Sequence, residues 1–270
     1  MKSKKARRSR KNSALRTVLL VLIAVLFGVF LFSGWKLFTT LREYKIAEEQ
    51  YNGVSGRYTQ RRDDTGNNTP TSMSDPRAGE ESSPIQVNFA ELRQTGPEVV
   101  AWIWQENTVI NYPVVQASDN DYYLHRFIDG SYSAGGSIFA DCKNTADFSD
   151  HNTILYGHHM NDGSMFASLR NYRYQSYYDE HPTLYLNTPG GNFRIEVFAG
   201  YVCDADSDTY KLVFGSGEDF AAWAEKMRSQ SDFASNVSIG MNDKVVTLST
   251  CSYEYWDARY VVQGKLVPIN

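Results

Sequence analysis

The sequence is poor in cysteine, with only Cys142, Cys203 and Cys251 in 270 residues. Because the number is odd, at least one thiol has no partner for an intrachain disulfide. That excludes a fold in which every cysteine is cross-linked. The sequence leaves open whether Cys142 and Cys203 form a disulfide. The preferred interpretation is that both are small buried hydrophobic side chains.

Acidic residues are absent before Glu43, and charge of either sign is absent from Thr17 to Trp35. At about 1.5 Å per helical residue, the uncharged run is roughly 28 Å long, close to the thickness of a bilayer's hydrocarbon core. Residues 1–16 carry eight lysines and arginines. By the positive-inside rule, this basic flank is cytoplasmic. The sequence therefore predicts a cytoplasmic tail at 1–16, a single membrane anchor at 17–38 and an extracellular remainder.

A cleaved signal peptide is the alternative interpretation of the N-terminal segment. The apolar run is longer than a usual signal-peptide core, and no small-x-small cleavage motif follows it. Trp35 and Lys36 are instead typical of interfacial anchors, so the uncleaved anchor is preferred. The apolar run explains the basic tail, and no nucleic-acid partner is predicted. The net charge of −4 includes this tail, so the exported part is more acidic still, which excludes a binder of polyanions.

Apolar residues are also scarce between the anchor and the folded domain. Residues 37–58 mix apolar and charged side chains and predict a helix that ends near Gly53 and Gly56. From Thr59 to Pro84 the chain has almost nothing to bury, which is typical of a flexible spacer. We therefore expect an extracellular helix and spacer at 39–84.

Residues 85–270 are long enough for one domain and contain no internal repeat. Asn88 is expected to cap a helix that reaches Arg93, and a second short helix is predicted at Pro97–Ala101. Two further helices are predicted at Ser164–Tyr172 and Gly217–Ser231. Short runs rich in Val, Ile, Tyr and Phe predict eight strands at Val99–Trp104, Val109–Val115, Gly136–Ala140, Asn152–Gly157, Thr183–Asn187, Asn192–Cys203, Lys244–Thr250 and Arg259–Pro268. This pattern indicates a mainly β fold built on a closed or nearly closed, antiparallel-rich barrel.

Cys251 stands at the end of an apolar strand, and Arg259 begins the next strand eight residues later. If residues 252–258 form a hairpin loop, the arginine lies near the thiol. A nearby cation favours the reactive thiolate and can stabilise an oxyanion after attack. A solvated charge on an edge strand is the alternative role of Arg259, but its place opposite Cys251 favours the catalytic one.

His158 follows Gly157 at the end of the strand that begins at Asn152. A histidine at a barrel rim can reach a cysteine at another strand end, and a Cys–His pair can perform acyl transfer. A zinc site at His158 and His159 is not expected, because neighbouring strand residues point to opposite faces and no further ligand has suitable spacing. Nor is calcium expected at Asp204, Asp206 and Asp208, which lack the glycine and terminal glutamate of an EF-hand. We predict no metal and no cofactor.

The string from Thr247 to Cys251, followed by Arg259-Tyr-Val-Val, resembles the signature of sortases, the cysteine transpeptidases of Gram-positive cell surfaces. The string from Asn152 to Met160, Asn-Thr-Ile-Leu-Tyr-Gly-His-His-Met, resembles class B sortases in particular, as does the helix near 217–231 that precedes the cysteine strand. The resemblance covers residues 85–270. It implies the sortase-like fold: an eight-stranded β-barrel with N-terminal helices and a long helix before the cysteine strand.

The resemblance also implies residue roles. Cys251 matches the nucleophile, His158 the catalytic histidine and Arg259 the catalytic arginine. Four further positions match peptide contacts, and ordinary packing is an alternative for each: Asn120, Leu124, Tyr210 and Ser249. Some class B members carry an acid two positions after the cysteine, where this chain has Tyr253, so a fourth catalytic acid is not implied. Glu254 and Asp257 are weak substitutes.

The implied function is that of a membrane-anchored extracellular cysteine transpeptidase. It would cleave a C-terminal (Asn/Ser)-Pro-x-Thr sorting signal of surface proteins after Thr and join the product to an amine of a peptidoglycan precursor. A peptidase that hydrolyses the same peptide is one alternative. A pilin-polymerising sortase is another, although the 59–84 spacer lacks an evident aromatic or acidic lid. A non-catalytic surface adaptor is disfavoured, because the Cys, His and Arg are all present.

Overall fold

The computed structural model describes the backbone of residues 3–62, 82–252 and 257–270, with side chains from Arg16 onward. Most of the predicted spacer therefore lies outside the described residues, as do Tyr253 and Glu254. The chain divides into two compact units, Met1–Ile46 and Ala47–Asn270.

A single long helix, α1 (Ser3–Tyr58), runs through the N-terminal unit and into the second unit. A window of 18 residues within it has a mean hydropathy of 2.7, and none of that window is buried. By length and composition α1 is a candidate membrane-spanning helix, a test that signal sequences also meet. The membrane span itself therefore stays a prediction.

α1 passes through Gly53 and Gly56, which the sequence offered as its end, and ends at Tyr58, the last residue of the predicted 37–58 helix. Tyr51, Val54 and Tyr58 lie three and four residues apart, so they share one face of the helix, and all three are buried. Each glycine costs a helix about 1 kcal/mol relative to alanine. Burial of three large side chains outweighs that cost.

The residues directly after α1 also differ from the expected spacer. β1 (Thr59–Arg61) pairs antiparallel with β2 (Ile85–Val87) in a two-stranded sheet. The amide of Arg62 donates to the carbonyl of Pro84 at 2.8 Å, which continues the pairing. Because the partner strand lies more than twenty residues away, the local composition of 59–61 did not reveal this strand.

The helix predicted from Asn88 is present as α2 (Phe89–Thr95), and the Asn88 side chain caps it by accepting the amide hydrogen of Glu91 at 3.2 Å. The second short helix, predicted at Pro97–Ala101, was wrong. Val99 instead begins a strand in which all six residues are buried. Two-sided burial of a barrel strand explains why its apolar run is continuous rather than alternating.

Eight strands form a closed barrel in the order β10-β8-β7-β3-β4-β5-β6-β9, which confirms the predicted fold. Two neighbouring pairs, β4–β5 and β6–β9, are parallel, and the others are antiparallel. The strands are β3 (Val99–Trp104), β4 (Asn111–Val115), β5 (Ile138–Ala140), β6 (Asn152–Tyr156), β7 (Thr183–Thr188), β8 (Gly191–Asp204), β9 (Val245–Cys251) and β10 (Ala258–Ile269).

Helices and 3-10 turns lie between the strands. The predicted helix at Ser164–Tyr172 is a 3-10 turn at Ala167–Arg173, and α3 (Gln175–Glu180) follows it. The predicted helix at Gly217–Ser231 is α4 (Gly217–Arg228), whose buried residues pack in a cluster with β8. Further 3-10 turns occupy Tyr122–His125 and Asp208–Tyr210.

The parallel pairing of β6 and β9 places the carboxyl ends of both strands at the same edge of the barrel. Tyr156, the last residue of β6, lies opposite Ser249 of β9. The antiparallel strand β10 starts at this edge, because Arg259 lies opposite Cys251. Residues that are far apart in the sequence therefore meet where these three strands join.

Candidate active site

One pocket of about 260 Å³ lies at this edge of the barrel, and all seven side chains predicted for the site line it. They come from three strand ends and from two loops. The predicted residues are Asn120, Leu124, His158, Tyr210, Ser249, Cys251 and Arg259; the others that line the pocket are Phe139, Tyr156, Gly157, Ala205 and Thr250. The structure therefore brings the predicted set together, while the role of each residue stays a prediction.

Cys251 and Arg259 are cross-strand partners in the β9–β10 pair. Directly opposite residues of an antiparallel pair place their Cβ atoms about 4.5–5.5 Å apart on the same face of the sheet. Cys251 ends β9 and is partly exposed at the pocket. The thiol and the guanidinium are thus neighbours by strand register, as the hairpin interpretation predicted.

The Arg259 guanidinium is held by the end of the loop that precedes it. It forms an ion pair with the Asp257 carboxylate at 2.8 Å and donates to the carbonyls of Asp257 and Ala258 at 3.2 and 3.3 Å. Asp257, which the sequence offered as a weak substitute for a catalytic acid, is therefore a partner of the arginine. It has a left-handed backbone with φ of 63°. These contacts limit the orientations that the guanidinium can take.

His158 leaves the barrel directly after the last contact between β6 and β9. The amide of Gly157 still donates to the carbonyl of Ser249 at 3.0 Å. A Cβ atom at Gly157 would lie 2.5 Å from Cδ1 of Ile138 and 2.7 Å from Cδ2 of Phe166. Only glycine fits this close approach, which sets the point where the chain turns toward the pocket.

The imidazole of His158 lies with Nε2 at 2.7 Å from the carbonyl oxygen of Leu124. A carbonyl oxygen only accepts, so Nε2 carries the hydrogen and donates it. The other ring nitrogen, Nδ1, is then the one that gains and loses a proton. Leu124 was predicted only as a peptide contact, and its backbone contact with the histidine is an addition from the structure.

Burial lowers the pKa of His158, because a buried imidazolium loses hydration. The hydrogen bond to the Leu124 carbonyl acts in the opposite direction, and the charge of His125 acts in the same direction as burial. The two imidazole rings stack with centroids 5.4 Å apart and planes 14° from parallel. The net effect favours a neutral imidazole, which suits a general base.

Two of the predicted peptide contacts bond to each other. The hydroxyls of Tyr210 and Ser249 lie 2.8 Å apart, and the rings of Tyr210 and Tyr156 stack with centroids 6.3 Å apart. Burial raises the pKa of Tyr210, so its hydroxyl stays protonated. This part of the wall is therefore neutral and offers hydroxyl groups to a ligand.

The three thiols are all free. Cys203 is buried in the barrel at 7% exposure, and burial raises the pKa of its thiol. Cys142 and Cys251 are partly exposed. The open question of a Cys142–Cys203 disulfide is thus resolved in favour of free thiols. Among the described residues, no group of three or more His, Cys, Asp or Glu side chains is placed to hold a metal ion.

Comparison with known proteins identifies the family. The sortase domain family matches residues 106–267 of this chain. Sortase B of Listeria monocytogenes is 38% identical over 248 residues, covering 91% of this chain and 95% of the relative. The chain belongs to the sortase family, in class B. Sortases are cysteine transpeptidases, and the chain is therefore an enzyme of that kind.

Other class B sortases are similar in sequence and in fold. Sortase B of Staphylococcus aureus is 31% identical over 188 residues, 69% of this chain and 77% of the relative. A crystal structure of sortase B from Bacillus anthracis in complex with AAEK1 superimposes with a TM-score of 0.70 at 33% identity, covering 84% of this chain and 99% of that one. The 2.0 Å structure of the S. aureus enzyme gives a TM-score of 0.64 at 32% identity, over 67% and 87% of the two chains. The eight-stranded sortase barrel is common to these proteins.

Two polar residues of this sortase site were missed from the sequence. Tyr156 lines the pocket. It stands in the Asn152–Met160 string that suggested the family, but the sequence analysis did not identify it as a site residue. Asp141 lies behind the pocket, where its Oδ2 accepts from the hydroxyl of Tyr156 at 2.9 Å and from Nδ2 of Asn120 at 3.0 Å. The only signal in the sequence for Asp141 was an acidic residue directly after a predicted buried strand.

Proposed function

We propose that this sortase cleaves a C-terminal (Asn/Ser)-Pro-x-Thr signal after Thr and transfers the acyl group to a cell-wall amine. Cys251 is the nucleophile, Arg259 the oxyanion partner and His158 the proton carrier. The observation that carries the proposal is the cross-strand pairing of Cys251 with Arg259 in the pocket that His158 also lines. The pocket includes every other position that the family motif suggested for peptide contact.

In the first half-reaction, Nδ1 of neutral His158 takes the proton of the Cys251 thiol, and the resulting thiolate attacks the Thr carbonyl carbon. A C–S bond forms, and the carbonyl oxygen takes up negative charge. The Arg259 guanidinium, restrained by Asp257 and by two backbone carbonyls, is a preorganised cation for that oxyanion. The C–N bond then breaks, and the leaving amine takes a proton from Nδ1 of His158. The products are a thioester at Cys251 and a released C-terminal peptide.

In the second half-reaction, an amine attacks the thioester carbon. Nδ1 of neutral His158 accepts a proton from this amine, the new C–N bond forms and the C–S bond breaks. The departing thiolate recovers a proton from the imidazolium, so the thiol and the neutral imidazole of the starting state are restored. The lowered pKa of His158 supports this base role. The hydrogen bond from Nε2 to Leu124 holds the ring orientation through both halves.

Two solved structures of sortase B with bound ligands support the proposal. One is an S. aureus sortase B–substrate complex, and another is sortase B complexed with triglycine. Both cover 67% of this chain at 32% identity. By similarity, we take a sorting-signal peptide as the acyl donor and triglycine as a laboratory acceptor.

The test uses the full-length chain in detergent and a panel of fluorogenic (Asn/Ser)-Pro-x-Thr-Gly peptides, with and without triglycine. Mass spectrometry of the products should show cleavage after Thr and, with triglycine, a new amide to glycine. Cys251→Ala should give neither product. Turnover in that variant would contradict the assignment. Hydrolysis that triglycine does not divert would instead favour a peptidase.

We further propose that the chain is anchored by residues 17–38, with residues 1–16 in the cytoplasm and the catalytic domain outside. The spacer within 39–84 would hold the domain away from the membrane. Removal of residues 1–38 should release the enzyme from the membrane fraction while peptide turnover is kept. Protease added to intact cells should degrade the catalytic domain of the full-length enzyme. A protected domain would contradict the topology.

A further inference from the structure

Asp141 is a buried carboxylate, 6% exposed, that stands behind the peptide pocket. Its Oδ2 accepts hydrogen bonds from the side chains of Tyr156 and Asn120, and its Oδ1 accepts from the amide of Lys143 at 2.9 Å. Both side-chain donors line the pocket, whereas Asp141 does not. A buried carboxylate thus connects two pocket walls from outside the pocket.

Strand register explains why Asp141 is in this position. In the antiparallel β5–β6 pair, Phe139 lies opposite Tyr156, and the amide of Asp141 donates to the carbonyl of Ile154 at 2.9 Å. Residues two apart on one strand share a face, so Asp141 and Tyr156 are diagonal neighbours on the same face. This position brings the carboxylate to the phenol hydroxyl rather than to solvent.

The contact sets the hydrogen-bonding role of Tyr156. Burial raises the pKa of Tyr156, and the negative charge of Asp141 raises it further. The hydroxyl therefore stays protonated, and its hydrogen is donated to Asp141. The lone pairs of the phenol oxygen remain available to accept a hydrogen bond from a ligand in the pocket.

The contact also sets the orientation of the Asn120 carboxamide. Oδ1 of Asn120 accepts from the amide of Cys142 at 2.8 Å, and one hydrogen of Nδ2 is donated to Asp141. An amide flip would place a donor against the Cys142 amide and an acceptor against the carboxylate. The second hydrogen on Nδ2 is then the group that Asn120 can offer to a ligand.

We propose that Asp141 is a positioning residue for substrate binding, which holds Tyr156 as a hydrogen-bond acceptor and Asn120 as a donor toward the bound peptide. The proposal rests on the proposed function, because it assigns the sorting-signal peptide to this pocket. Asp141 acts through the two side chains and not on the reacting atoms. Its loss should therefore weaken peptide binding and leave the chemistry at Cys251 intact.

Two substitutions of Asp141 separate its effects. In Asp141→Ala, the hydroxyl of Tyr156 and the amide of Asn120 lose their acceptor. In Asp141→Asn, the carboxamide oxygen can replace Oδ2 only if its NH₂ group faces the Lys143 amide, which is donor against donor. The asparagine variant therefore loses either that backbone contact or both pocket contacts, together with the charge. We expect its defect to lie between those of the wild type and Asp141→Ala.

Asp150 provides the matched control. It lies in the same loop, and its Oδ2 accepts from Nδ2 of Asn144 and from the amide and hydroxyl of Thr145. None of these partners lines the peptide pocket. Asp150→Ala removes a loop carboxylate without touching the pocket, so it reports the effect of loop destabilisation alone.

The experiment measures kcat and KM of the full-length enzyme with a panel peptide for which turnover depends on Cys251. For Asp141→Ala, we expect KM to rise about tenfold with kcat changed by less than about threefold, the scale of a lost hydrogen bond to a charged group. Asp150→Ala should keep the wild-type KM. The rate of Cys251 alkylation by iodoacetamide should be the same in all of these variants, which shows that the nucleophile is intact.

A double-mutant cycle keeps the test decisive if Asp141→Ala folds poorly. In an Asn120→Ala, Tyr156→Phe background, Asp141→Asn should raise KM by less than about twofold, because the groups that it positions are already absent. An equal increase of KM in both backgrounds would overturn the proposal, and so would a fall in kcat at unchanged KM. Failure of the proposed function would be seen separately, as turnover that does not need Cys251.

Discussion

The Nε2 hydrogen of His158 is donated to the backbone carbonyl of Leu124 at 2.7 Å. Leu124 belongs to the 3-10 turn Tyr122–His125, and the next residue of that turn, His125, stacks on the same imidazole. One short turn therefore controls the ring from two sides. The contact assigns the exchangeable proton of the proposed acid–base residue to Nδ1 and makes the position of the turn important for activity.

Gly136 supports the turn that holds His158, and its replacement should impair both fold and activity. It has φ of +56°, and a Cβ atom there would lie 2.3 Å from the Leu124 carbonyl oxygen and 2.5 Å from that of Tyr123. For Gly136→Ala we expect a loss of about 2–5 kcal/mol in unfolding free energy, from backbone strain and steric overlap together. Because the Leu124 carbonyl must move, kcat should also fall. Urea unfolding and steady-state kinetics measure the two effects.

Gly163→Ala is the control for that experiment. Gly163 has a similar φ of +85°, but a Cβ atom there would meet nothing within 4 Å. The Gly163→Ala variant should lose about 1–2 kcal/mol of unfolding free energy from backbone strain alone. Its kcat should equal that of the wild type. Equal kinetic defects in the two variants would contradict a specific role of the space beside Leu124.

Arg259→Lys should reduce kcat by at least about 100-fold, the usual loss when one oxyanion donor is removed. Lysine keeps the charge but lacks the planar fork that holds Asp257 and two carbonyls at the same time. Arg194→Lys is the matched control, since both arginine side chains are 27% exposed and both form an ion pair with a carboxylate, Glu196 for Arg194 and Asp257 for Arg259. Arg194 does not line the pocket and its variant should be fully active. Near-wild-type kcat in Arg259→Lys would exclude the proposed role of the guanidinium.

The buried imidazole of His158 should make stability depend on pH. Its folded pKa lies below the ordinary value of 6.5, so the unfolded chain binds the proton first as the pH falls. Unfolding free energy should therefore decrease from about pH 7 to about pH 5. His158→Gln, which cannot be protonated, should show a smaller decrease in urea titrations. At about pH 8 the imidazole is neutral in both the folded and the unfolded chain, so a comparison of the two proteins there measures the effect of the substitution on packing alone. If unfolding free energy decreased equally in both proteins between about pH 7 and about pH 5, the lowered pKa of His158 would be contradicted.

Thiol labelling should distinguish Cys203 from the other two cysteines. Its burial raises the pKa of the thiol, so iodoacetamide should modify it only after unfolding, since the thiolate is the reactive form. In denaturant without a reductant, mass spectrometry should find three modified cysteines. If only one cysteine were modified in denaturant and the other two required a reductant, a disulfide would be present instead of the free thiols of the structure.

Several features could be read directly from the chain because their causes are local. Runs of β-branched and aromatic residues predicted eight barrel strands, and α4 was visible from apolar residues at helical spacing. Cys251, His158 and Arg259 were found because each stands at the end or start of such a strand within a recognisable motif. The uncharged run within α1 is likewise visible from the amino-acid composition alone.

Only the tertiary structure decided the contacts between distant segments. The helix continues through Gly53 and Gly56 because its buried face packs on the domain, and β1 exists because β2 lies beside it. The Leu124 carbonyl reaches His158, and Asp141 reaches Asn120, across 34 and 21 positions of the chain. Such hydrogen bonds depend on strand register and loop path, which local composition does not encode. The sequence by itself determined the elements and the reactive groups, whereas folding decided which partners orient them.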